Sequence, residues 1–151
     1  MNYEQFLQKL KQSNFNVIGL SCAFCEFGEW QISFIRFGGK FQAEGEIAFV
    51  ICARPLNVKT LENKIVKESR NPKDYPFKLI LSEIDEELIY QPKLLNFELE
   101  YFERDGDWSR IYEILRIDLP KLLVKLGVDE LKKQIRSQQE LSYIEKIWLE
   151  E

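Results

Sequence analysis

Trp30-Gln31-Ile32-Ser33-Phe34-Ile35-Arg36-Phe37 decides the fold class. Trp30, Ile32 and Phe34 fall on one side of an extended chain, Gln31 and Ser33 on the other. Apolar and polar residues alternating with period two mark a strand with one face buried. Downstream, Phe41 to Ala53 repeats the pattern. Phe41, Ala43, Ile47, Phe49 and Ile51 share a face, and Gln42, Glu44 and Glu46 oppose them. Gly38-Gly39 between the two runs supplies the positive φ angles of a tight hairpin. Upstream, Phe15 to Phe27 reads as one further strand, with Ile18, Leu20, Cys22 and Phe24 facing the same core and Gly28-Glu29 as the turn. The expectation is an antiparallel meander. Ile47 to Ala53 contains no polar residue, so that strand needs cover on both faces. A helix or a second subunit is expected over Ala48, Val50 and Cys52, and a homodimer is therefore left open.

Helical periodicity surrounds the sheet. Phe6, Leu7 and Leu10 place a helix over Tyr3 to Gln12. Val58, Leu61 and Ile65 predict a helix from Val58 to Ser69, with Asn57 as its cap and Asn71-Pro72 as its end. Phe77 to Leu81 and Leu95 to Phe102 read as strands, with a short helix over Glu83 to Tyr90 between them. In the second strand Phe97, Leu99 and Tyr101 are expected to face inward, and Glu98 and Glu100 outward. After the turn at Arg104 to Asp107, Trp108, Ile111, Tyr112, Leu115, Leu119, Leu122, Leu123 and Leu126 trace the clearest amphipathic helix. Pro120 predicts either a kink or a second helix capped by Asp118, and Gly127 a stop. Ile144, Ile147 and Trp148 mark a last helix, with Ser142 and Glu145 as its capping box. The whole chain, 1–151, reads as a single α+β domain with N-terminal, middle and C-terminal helices on an antiparallel sheet.

Composition narrows the function. The 151 residues carry a net charge of −4, and no apolar run reaches the ~20 residues of a membrane span. Neither a membrane nor a nucleic-acid partner is expected, since the latter favours a basic footprint. The N-terminus lacks a signal-peptide pattern, so a cytoplasmic location is expected. There is no histidine, which removes Ser-His-Asp and Cys-His sites. Cys22-Ala23-Phe24-Cys25 has redox or zinc-site spacing. Within a strand, however, residues three apart point to opposite faces, so both read as small buried apolar groups that hold no metal. Glu44 with Glu46, and Asp105 with Asp107, are close carboxylates, but the pattern fits solvated surface as well as catalysis. No motif names a reaction, no cofactor is called for, and a binder is favoured over an enzyme.

Charge layout carries the functional expectation. Between Glu83 and Asp107 nine acids stand against two bases. Lys59 to Lys78 and Arg110 to Arg136 are each net basic. The acidic zone would steer a basic protein partner, with Glu98, Glu100, Tyr101, Glu103, Asp105 and Asp107 as the contact set. An immunity-type inhibitor of a basic toxin or nuclease is the most concrete version. The alternative is a small-molecule-binding protein or enzyme with an aromatic-lined pocket, in which Trp30, Tyr101 or Tyr112 would line a cavity holding carboxylates.

Phe6-Leu7, Trp30 to Arg36 and Trp108 to Leu123 together give an order of parts that resembles a family of small bacterial proteins of unknown function. The resemblance covers about half the chain and implies the fold class; that family brings no catalytic residues.

Overall fold

Gly28, at φ 57°, turns the chain so that Phe27 lies opposite Trp30, and this turn fixes which residues share each face of the sheet. The computed structural model describes residues 1–38, 45–66, 68–79, 99–137, 141 and 143–150. Helix α1 (Tyr3–Gln12) leads into β1 (Asn16–Ile18), β2 (Cys22–Phe27), β3 (Trp30–Phe37) and β4 (Glu46–Pro55). β5 (Phe77–Leu79) and β6 (Glu100–Glu103) share the far edge of β4. All pairings are antiparallel. α2 (Ser109–Glu113), α3 (Leu119–Arg136) and α4 (Tyr143–Glu150) complete an α+β fold.

The N-terminal helix forms where its periodicity puts it. Asn2 accepts from the Gln5 backbone N–H and the Gln5 side chain accepts from the Asn2 N–H, a reciprocal cap that satisfies two orphan donors. Phe15 to Phe27 is not one strand. Gly19, at φ 54°, folds it into the β1–β2 hairpin. The helix expected over Val58 to Ser69 is also absent. Residues 56–66 and 68–71 run as turns and irregular chain, with Asn63 at φ 62°. This segment and the single 3-10 turn Pro72–Asp74 form a strap that leads to Tyr75 and Pro76. The short helix expected over Glu83 to Tyr90, the Gly38-Gly39 turn beyond Gly38, and the Ser142 cap lie outside the described residues.

Pro120 sits in the first turn of α3, which continues from a π-helical turn. Ile114–Asp118, between α2 and α3, is a π-helical turn in which the Leu119 N–H reaches back to the Ile114 carbonyl. A proline ring crowds the carbonyl four residues earlier. The wider turn gives it room and keeps the apolar stripe in register. Gly127, at φ 70° and ψ 162°, then breaks α3 into two helical runs.

The sheet has two buried faces. On the first, α1 and α2–α3 pack an aromatic core in which the Trp108 ring centroid lies 5.0 Å from Tyr3, 5.1 Å from Phe6 and 5.4 Å from Phe49. Ile32, Phe34, Ile47, Ile51, Leu115 and Leu119 join it, and Trp148 of α4 packs edge-on to Trp30 at 5.8 Å. The second face carries Cys22, Phe24, Ile35, Val50, Cys52 and Tyr75. Here the sequence expectation is corrected. Cys22 and Phe24 do not share a face with Trp30 and Phe34, because the Gly28 turn sets Phe24 opposite Ser33 and Cys22 opposite Ile35. Among the described residues, Tyr75 at the end of the strap packs against Val50 and Cys52.

Candidate functional site

β6 is where the charge layout pointed. Glu98 lies outside the described residues. Glu100–Glu103 pairs with Glu46–Phe49 in the register Glu100↔Phe49, Tyr101↔Ala48, Phe102↔Ile47, Glu103↔Glu46. The facing differs by one residue from the alternation expected. Phe102, with Glu100, is on the side of the aromatic core, and its ring meets Trp108 edge-on at 5.1 Å. Tyr101 faces the other way and is 52% exposed. The reason lies in the partners. Ile47 faces the aromatic core, so the residue opposite it must do so too. Gly106 completes the fit, since a β-carbon there would come within 2.8 Å of the Phe102 ring.

The acidic residues at this end divide into two groups. Asp107 is engaged within the molecule. Its Oδ1 accepts from the Ser109 hydroxyl at 2.6 Å and the Ser109 N–H at 3.1 Å, and lies 3.0 Å from the Met1 ammonium. These contacts, the Ser109 hydroxyl first, hold its pKa at about 2. Arg104, the base within the run, is tied to Glu4 of α1 through a charge-assisted pair. Glu103 and Asp105 are exposed, and Glu103 stands directly across the ladder from Glu46. Like charges in that position destabilise a sheet.

A second constellation was missed by the sequence reading. Gln31, Ser33 and Arg54 of the sheet and Ser69, Asp74 and Tyr75 of the strap are all buried. Gln31 Nε2 donates to the Tyr75 hydroxyl at 2.7 Å, which lies 2.7 Å from Ser33 Oγ and donates to the Ser69 carbonyl at 2.6 Å. Arg54 donates to Gln31 Oε1 at 3.1 Å, to the Val66 carbonyl at 3.2 Å and to the Val58 carbonyl at 2.7 Å. Its Nε finds no acceptor among the described residues. Asp74 accepts from the Leu61 N–H at 2.8 Å and from Ser69 Oγ. Burial pulls Arg54 below the ordinary arginine pKa and pushes Tyr75 and Cys52 up. Directed bonds thus tie an irregular segment to the sheet where no periodic apolar face exists. The signal was present in sequence. A strand apolar on both faces buries whatever pairs beside it, and Gln31 is opposite Arg54 and Ser33 opposite Cys52.

The cysteines sit as their strand spacing requires. Cys22 faces the second core and Cys25 packs against the first, and burial raises both thiol pKa values. Among the described residues no group of three or more Cys, Asp or Glu is placed to hold a metal ion. No described helix is long and apolar enough to cross a membrane. Trp30 is buried under Trp148, and Tyr112 is half-buried with its hydroxyl 2.6 Å from Ser13 Oγ. Neither they nor Tyr101 line a surface cleft among the described residues, bounded by Asn14, Asn16, Phe24, Glu26, Gln31 and Glu68 together with Cys25. No protein-family model, curated protein or solved structure matches the chain.

Proposed function

We propose that this is a protein-binding module that engages a basic partner through the end of β6 and the turn that follows it. One observation carries the reading. Tyr101 stands half out of the surface beside Glu103, and Glu103 is set against Glu46 at a cost in stability. A partner's lysine or arginine would relieve that repulsion, while the tyrosine ring supplies amphipathic contact area. The contact set is Glu46, Tyr101, Glu103 and Asp105; Glu100 lies on the other face of the strand. Asp107 serves the turn instead. An inhibitor of the immunity type is the most concrete form of this function.

The experiment is to identify a partner captured on the immobilised protein and follow its binding by association kinetics across a salt series. Glu103→Lys/Asp105→Lys should slow association and flatten its salt dependence, because exposed charges act over a Debye length of ~8 Å. Tyr101→Ala should mainly speed dissociation. Unchanged rates in a folded double variant would leave these residues as solvated surface and end the proposal.

A further inference from the structure

The ladder between β1 and β2 ends at Asn16↔Phe24, yet β2 runs on to Phe27. Asn14, at φ 70°, diverts the chain away from that edge. The strap passes nearby, and the gap left is an open cleft of ≈ 390 Å³, within the size range of small-molecule sites. Asn16 pairs with Phe24 and Glu26 with Gln31 across the ladders, so these residues share the second face of the sheet. Glu68 reaches the cleft from the strap. We propose that the cleft binds a small organic cation, an ammonium or guanidinium compound, between the carboxylates of Glu26 and Glu68.

The chemistry of the lining supports a cation. Asn16 Nδ2 donates to both oxygens of Glu68 at 2.9 Å, which orients the carboxylate and leaves its charge intact. Neither Glu68 nor Glu26 forms an ion pair with a described residue. Both carboxylates border one half-enclosed space, and a cation placed between them would gain from both. Gln31 cannot swing away, because Ser33, Tyr75 and Arg54 fix its amide. The floor of the cleft is therefore preorganised. A bare divalent ion fits poorly. Calcium takes about six to eight oxygen ligands, and the cleft offers much more room than an ion fills. Phe24 gives the methylene stem of an organic cation apolar contact.

The test is an NMR titration of the intact protein with putrescine and with arginine amide. Citrulline amide, acetylated on its α-amino group so that it is uncharged, serves as the neutral isostere and calcium chloride as the competing metal. Both organic cations should move the Asn16 and Gln31 side-chain amide signals saturably, and citrulline amide should not. Glu68→Gln keeps an acceptor for Asn16, so the cleft wall stays in place. It should weaken binding about tenfold or more, as should Glu26→Gln. Glu103→Lys/Asp105→Lys should leave this titration unchanged, which separates its outcome from that of the partner-binding proposal. The cation site is refuted by the absence of saturable shifts, by an equal response to citrulline amide, by full retention of binding in Glu68→Gln, or by a response to calcium alone.

Discussion

The two faces of the sheet are buried by different means. Against the first, regular helices pack an aromatic core centred on Trp108, where stabilisation scales with apolar area removed from water and needs no single contact. Against the second lies a strap without regular structure, held by Arg54, Asp74, Tyr75 and Gln31. Such bonds add little net free energy when made, but cost a great deal when one partner is left buried and alone. The aromatic face therefore sets global stability, and the polar face sets the shape of one segment.

Substitutions can break that division or sharpen it. The largest effect should come from Trp108→Ala, which empties the centre of the aromatic face and should cost roughly 3–5 kcal/mol by denaturant melts. Tyr75→Phe keeps the ring and removes the hydroxyl shared by Gln31, Ser33 and Ser69. A loss of about 1–3 kcal/mol is expected, together with faster proteolysis within the strap. If Tyr75→Phe matched Trp108→Ala, the faces would not differ as described. Glu103→Lys should stabilise the isolated protein by roughly 0.2–1 kcal/mol, by turning the Glu46↔Glu103 repulsion into attraction.

The smallest effect concerns Asp107, whose side chain is largely solvent-exposed. Its folded pKa of about 2 lies below the ordinary 3.8. A depressed carboxyl pKa contributes stability that is present above the unfolded pKa and is lost as pH falls toward the folded one. Stability should therefore decline between about pH 4 and pH 2 in the wild type, and Asp107→Asn should flatten that limb of the acid melt.

The sequence was most readable where side chains repeat. Tyr3–Gln12, Trp30–Phe37 and the stripe from Trp108 to Leu123 lie where periodicity puts them, because burial of one face determines each. Val58, Leu61 and Ile65 share helical spacing, yet only Val58 is buried, while Leu61 and Ile65 are exposed. Arg54 and Asp74 captured that segment's backbone groups instead, a tertiary effect that spacing does not encode. Register was the other failure. The alternation in β6 was plain, but its phase depended on Ile47 opposite Phe102 and on the space at Gly106. The phase of β2 depended likewise on the two-residue turn at Gly28-Glu29. Of the candidate site, the acidic composition was legible. That Tyr101 points out and that Asp107 is engaged internally were not.

Buried polar bonds hold the strap independently of the aromatic core. Hydrogen exchange on Arg54→Met tests this most directly. Methionine keeps apolar volume but releases the Val58 and Val66 carbonyls and the Gln31 amide. Amides closed within the strap should lose protection, namely Leu61 N to Asp74, Thr60 N to Lys64 and Asn63 N to Thr60. Those of α1 and the β3–β4 ladder should keep theirs, as separate cooperative units do. Equal loss of protection in the strap and in α1, or none in either, would contradict the account.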